Sequence, residues 1–216
     1  MLRSRLLPAL ACLPFAAPAA FAQDVDDRPV PQSEAEVVTE FEESKIKDLT
    51  ISVPTTWSKE DPATSMRLAQ YKIPASEGDK EPALVAVFNF GGPAGSAKAN
   101  LKRWADQFDA AGRKVKVTQG TFKTEQNKGK YYLAHIQGTF NQPVGPPIRR
   151  QTEKKTDFAV AGLIVMLQDG LAENGDYFIK MTGPKKTVAE QLKNVRGLIK
   201  AVADKETVYD YETGLE

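Results

Sequence analysis

Six consecutive residues, Gly91-Gly92-Pro93-Ala94-Gly95-Ser96, join an apolar run to an amphipathic one. A glycine-rich turn that feeds a helix N-terminus can aim backbone N–H groups and the helix dipole at an anion. The segment lacks a Gly-Lys-Ser/Thr ending and does not fit G-x-G-x-x-G, so neither nucleotide fingerprint is present. A turn that lets helix and sheet pack closely accounts for the same glycines. Lys98, Lys102 and Arg103 follow on one predicted helix, with Gln107 four residues beyond Arg103, the spacing of a polar pair. A second basic group, Arg149, Arg150, Lys154 and Lys155, lies in a polar stretch that holds three prolines. The candidate ligand or partner surface is therefore Gly91, Gly92, Gly95, Ser96, Lys98, Lys102, Arg103, Gln107, Arg149 and Arg150.

Reactive chemistry is thinly represented. His135 is the single histidine and Cys12 the single cysteine. A zinc site needs several converging nitrogen or sulfur ligands, and one histidine cannot supply them. No G-x-S-x-G gives His135 a nucleophile to activate, so an ordinary strand residue is expected there. Paired carboxylates are a formal alternative, but the central acids (Asp61, Glu77, Asp79, Asp169, Glu173) fall mostly in turn-like segments. No catalytic residue, cofactor or metal is expected.

The elements that must position these residues read as strands, helix, strands, helix. Val37, Val38 and Phe41 are spaced for one helical turn. Ile46 to Val53 and Met66 to Ile73 alternate as strands, and Ala83 to Phe90 is apolar enough for a strand covered on both faces. After Ser96, a good N-cap, Ala97, Leu101, Trp104, Phe108 and Ala111 form one apolar helical stripe ended by Gly112. Lys114 to Thr118, Thr121 to Thr124 and Tyr131 to Phe140 are strand candidates, and Asn141 to Thr156 reads as a polar loop. Phe158 to Leu167 is a second buried strand, followed by Asp176 to Met181. Thr182-Gly183-Pro184 then opens a long helix whose stripe is Val188, Leu192, Val195, Ile199 and Val202. The expectation is an α+β fold: an α/β/α sandwich with a central, mainly antiparallel sheet and helices on both faces.

The termini carry different signals. Arg3 and Arg5 precede an apolar stretch to Phe21, and Ala20-Phe21-Ala22 is a small-x-small cleavage site, so residues 1–22 are expected to be a signal peptide. Cys12 lies inside that stretch, and a lipid anchor is not expected. No later run approaches the ~20 apolar residues that span a bilayer. From residue 23 to 44, eight acids face one arginine, which suggests an acidic flexible leader over 23–45. The body from 46 to 203 is basic, and the segment 204–216, with five acids and one lysine, reads as an acidic tail. The basic residues are scattered without interleaved aromatics, so no nucleic acid partner is expected.

Several short stretches, in order, resemble the bacterial secreted branch of the PsbP-like α/β/α sandwich superfamily. They are Ile51-Ser52-Val53-Pro54 with Trp57, Met66-Arg67-Leu68-Ala69, and Phe88-Asn89-Phe90-Gly91-Gly92. Gly95 with Asn100-Leu101-Lys102-Arg103-Trp104 and Gln107-Phe108 continues the series, which ends with Tyr177-Phe178-Ile179-Lys180-Met181-Thr182-Gly183-Pro184. The segment from Asn141 to Thr156 has no counterpart in that pattern. The resemblance implies a fold and a style of function, since relatives of that superfamily are mostly partners or adaptors. Fold does not fix function. The expected function is an exported, non-enzymatic binding or accessory domain that docks on a protein or envelope component, periplasmic or secreted. The alternative is a domain that binds a small anionic ligand at the glycine segment 91–96.

Overall fold

A computed structural model describes residues 40–91, 94–145, 151–168 and 175–214. The chain opens with β1 (Phe41–Ile46) and β2 (Leu49–Pro54), a two-stranded antiparallel ribbon turned at Lys47, whose φ of 54° lies in the left-handed region. Phe41 therefore belongs to a strand and not to a helical turn. Pairing with β2 along the whole of β1 gives this short segment a hydrogen-bonded ladder, where one isolated helical turn is costly to nucleate. Val37 and Val38 lie outside the described residues.

The main sheet has eight strands, all antiparallel. These are β3 (Ser58–Glu60), β4 (Arg67–Ile73), β5 (Ala83–Asn89), β6 (Lys114–Lys123), β7 (Lys128–Pro143), β8 (Thr152–Leu167), β9 (Tyr177–Pro184) and β10 (Thr207–Val208). Their order across the sheet is β10-β6-β7-β8-β9-β5-β4-β3. The two edges are only two and three residues long, which leaves little unpaired backbone to template another chain.

Side-chain alternation divides the apolar residues of these strands into two clusters. Leu133, Ala161, Leu163, Ile179, Val85 and Tyr71 join Leu49 and Ile51 of the ribbon, together with Val188 and Val195 from two short helices and Ile199 just beyond them. Those helices are α2 (Lys185–Glu190) and α3 (Leu192–Gly197). The interleaved residues Ala134, Ile136, Val160, Ile164 and Phe178 join Leu101, Trp104 and Ala105 of α1 (Ala97–Ala105). α1 sits close because β8 has Gly162 beneath it. A Cβ at that position would come within 2.3 Å of the Trp104 ring.

Three further expectations need correction. α1 stops at Ala105 and does not continue to Ala111, because the next residues pair with β7. Asp109 N–H donates to Thr139 O, Asn141 N–H donates to Gln107 O, and the Phe108 and Phe140 rings meet at 5.1 Å. The expected loop at 141–156 is largely hairpin. β7 and β8 stay paired out to Pro143 and Thr152, through Asn141–Lys154 and Gln142–Glu153. Their side chains are polar since little packs on them, while the ladder is made by backbone alone. The expected long helix begins only at Lys185, after β9 has used Thr182, Gly183 and Pro184, and it breaks at Gln191. Val202 consequently leaves the buried stripe.

The acidic stretch after residue 203 belongs to the fold as far as it is described. β10 pairs with β6, and Tyr209 packs edge-on against Tyr132 at 4.8 Å. Glu206 is buried in an ion pair with Arg196, at 2.7 Å. Counting acids concealed an amphipathic segment whose aromatic residues turn inward.

Candidate functional site

The glycine segment is held by a side chain from within its own helix. Gly91 and Gly95 adopt φ of 69° and 85°, conformations that suit glycine. Ser96 caps α1, its Oγ accepting from the Ala99 N–H at 3.2 Å. Asn100, only 2% exposed, donates from Nδ2 to the carbonyls of Ala94 and Ser96, both at 3.0 Å. In the described part of the loop, the inward polar groups are therefore carbonyls engaged by an amide. Gly92 and Pro93 lie outside the described residues, as do Arg149 and Arg150.

Positive charge gathers along a different line. Asn100, Arg103 and Gln107 are spaced three and four apart and share one side of α1 and the turn that follows it. Arg103 donates to Asn100 Oδ1 at 2.8 Å. Gln107 does not pair with Arg103; its Oε1 accepts from Lys180 Nζ on β9. Lys180 also lies 5.3 Å from the centre of the Phe140 ring, within cation–π range. Burial pushes the Lys180 amine down to about 8, and the nearby charge of Arg67 adds to the shift.

Sheet register places Arg67 on this same side. Lys180 stands in a cross-strand row with Ala86 and Gln70 in one direction and with Gly162 and Ala134 in the other. Arg67 pairs with Phe88, which pairs with Phe178. The Arg67 guanidinium donates to Gln70 Oε1, and Gln70 Nε2 in turn donates to Glu60 at 3.0 Å. The outcome is three cations, Arg67, Arg103 and Lys180, each hydrogen-bonded to a side-chain amide. Among the described residues none of the three has a carboxylate partner.

An aromatic run borders this set. Phe90 stacks on Phe88 at 6.2 Å and meets Phe178 at 5.7 Å, and Phe178 stands edge-on to Trp104 at 6.4 Å. Phe90 is 54% exposed, and Met66, beside Arg67 at the neighbouring strand end, is 59% exposed. Lys98 and Lys102 are engaged elsewhere, Lys98 on Thr213 O at 3.0 Å and Lys102 on Asp106 at 2.6 Å. In the second basic group, Lys154 reaches Asp109 at 2.7 Å and Lys155 reaches Glu81 at 3.1 Å.

His135 sits half-buried on β7 with Gln137 Nε2 at 3.0 Å from its ring Nε2. Burial holds its pKa below the ordinary value, and the charges of Arg196 and Lys116 act in the same direction. Among the described residues no nucleophile or carboxylate bonds to the ring. Among the described residues, no group of three or more His, Cys, Asp or Glu is placed to hold a metal ion. No helix among them is long and apolar enough to cross a membrane.

Sequence reasoning missed Asn100, Lys180, Arg67, Gln70 and the exposed pair Met66 and Phe90 as site residues. A signal for Lys180 existed: it falls on the same strand parity as Phe178, a position where an apolar residue was due. The i, i+3, i+7 stripe of Asn100, Arg103 and Gln107 was equally visible, set off from the apolar stripe.

No protein-family model matches the chain, and no curated protein matches it. The solved structures to which the chain is similar include the following two. The solution structure of the cyanobacterial PsbP, CyanoP, from Synechocystis has a TM-score of 0.37 and 12% identity over 84% of this chain and all of that one. A protein of unknown function from Pseudomonas aeruginosa has a TM-score of 0.36 and 10% identity over 73% of this chain and 92% of that one.

Proposed function

We propose that this chain is an exported, non-enzymatic binding or accessory domain of PsbP-like α/β/α type, docking on a protein or envelope component. The observation that carries the reading is the pairing of Met66 and Phe90. They are two large apolar side chains more than half exposed at neighbouring strand ends, next to Arg67. Apolar anchors beside a guanidinium group match the composition of protein interfaces, where aromatic residues, Met and Arg are enriched. The fold reading is supported by the two apolar clusters, one completed by α1 and the other by α2 and α3. The sequence signals at 1–22 support export.

The test is retention of the purified chain on solubilised envelope proteins, wild type against a Met66→Ser, Phe90→Ser double variant. Both positions are already exposed, so the variant should fold with unchanged stability. Retention should fall by about tenfold or more, the loss expected from removing interface anchors. Equal retention of the two proteins would remove the docking reading.

A further inference from the structure

We propose that the side of β9, β5 and β4 next to α1 holds a binding site for a monoanionic carboxylate ligand with an apolar body. The carboxylate would be taken by Lys180, Arg67 and Arg103. The apolar body would lie on Phe88 and Phe90. The site shares Phe90 and Arg67 with the proposed docking surface, but its test needs only the small ligand and no protein partner.

The cations of this chain are neutralised in different ways. Lys102, Lys154, Lys155, Arg113, Lys186, Arg196 and Lys200 all meet carboxylates. Arg67, Arg103 and Lys180 meet only the neutral oxygens of Gln70, Asn100 and Gln107, as Lys47 meets Asn89 Oδ1 and Lys98 the Thr213 carbonyl. Lys180 and Arg67 differ in standing on the same side of the adjoining strands β9, β5 and β4. An amide oxygen orients a cation without cancelling its charge. Lys180 is the member drawn out of water, where an uncancelled charge is costly and a charge-assisted bond to an incoming anion relieves that cost. Arg67 lies near enough to Lys180 for its charge to be felt there, so the two guanidinium and ammonium groups are held together against their own repulsion.

Three details select the ligand. Glu60, bonded behind Gln70 at 3.0 Å, reduces the net charge of the set and disfavours a dianion. Two guanidinium groups provide planar forks that match a carboxylate edge. The exposed Phe90, stacked on Phe88, offers an aromatic surface beside the charges. Together they fit an aryl or acyl carboxylate better than an inorganic anion.

The experiment is a titration of the full chain with sodium benzoate, followed by NMR on the side-chain amides of Gln70, Asn100 and Gln107. Acetate, inorganic phosphate and sodium chloride are run at matched ionic strength. Saturable shifts are expected with benzoate, about tenfold tighter than with acetate because the ring buries apolar area. Lys180→Met should weaken benzoate by about tenfold or more, and Arg67→Gln, on a more accessible side chain, should do so without disturbing the fold. The proposal is overturned if benzoate shifts match those of chloride, or if both variants bind as the wild type does. Phosphate binding more tightly than benzoate, or acetate as tightly, would overturn the assigned ligand class.

Discussion

Arg196 and Lys180 are both cations drawn partly out of water by the same sheet, and they are treated in opposite ways. Arg196, on α3, forms a two-pronged ion pair with Glu206, its Nε at 2.7 Å and NH2 at 2.9 Å from the two carboxylate oxygens. Tyr131 donates to the same carboxylate at 3.0 Å. Burial pushes the Glu206 carboxyl up, but the hydrogen bonds from Arg196 and Tyr131 outweigh it and the net shift is downward. Lys180 has one amide and one aromatic ring, and its amine is pushed down to about 8. The first arrangement closes its electrostatics internally and serves the fold. The second leaves a charge with an amide and a ring but no carboxylate partner among the described residues, which is the feature the proposed carboxylate site rests on. Electrostatic strain left open in a fold is where binding is to be sought.

The largest effect should come from opening the closed cluster. Glu206→Gln leaves Arg196 without its counter-charge and should cost about 3 kcal/mol, read from urea unfolding at neutral pH. The same cluster predicts an acid limb. The Glu206 pKa is lowered in the folded state, so its stabilising contribution is present above the ordinary value of 4.5. That contribution is lost as pH falls through the lower folded value.

Lys180 should give a trend of the same sign at the alkaline end, for a different cause: there the fold disfavours the charge instead of holding it. Its pKa falls from 10.5 in the unfolded chain to about 8 in the folded one. Between these values the unfolded state binds more protons, so stability rises with pH across that window. The rise, taken as the difference between wild type and Lys180→Met, should reach about 2 kcal/mol. A flat difference would show that Lys180 is fully solvated and that the contrast with Arg196 is false. At neutral pH, Lys180→Met should stabilise the chain by about 1 kcal/mol, by replacing a desolvated charge with an apolar side chain of similar length. Smallest of all, Arg103→Ala should change stability by less than about 0.5 kcal/mol, since Arg103 is exposed and bonded only to Asn100. Those last two effects separate residues kept for binding from residues kept for stability.

Much of the architecture was legible in the sequence because alternation and helical spacing are written in side chains. Val85 and Val87 or Leu163 and Val165 declare a strand whatever surrounds them, and Ser96 declares a cap. Where backbone pairing decided the outcome, side chains were a poor guide. Asn141 and Lys154 face each other in a ladder whose hydrogen bonds do not depend on either side chain. Phe108 fits the apolar stripe of α1, yet it leaves the helix because β7 offers its backbone a partner. Glu206 and Tyr209 were hidden by the acids around them.

The candidate site was less legible for a different reason. Arg103 and Gln107 were singled out as a pair, correctly noted as polar but joined to each other when each is joined elsewhere. What brings Lys180 and Arg67 to them is the register of β4, β5 and β9, and one sequence does not specify register between distant strands. A charge on a strand face is ambiguous until its cross-strand neighbours are known.

Gly162 has a consequence beyond packing. Trp104 rests where a Cβ would stand, so the depth of α1 on the sheet is set by one missing carbon. Gln107, just past the end of that helix, reaches Lys180 only at that depth. An alanine at position 162 would act as a spacer under the indole, lifting the helix and drawing the amide away from the amine. The reach of a polar contact on β9 is thus governed by a residue with no polarity of its own, one strand away.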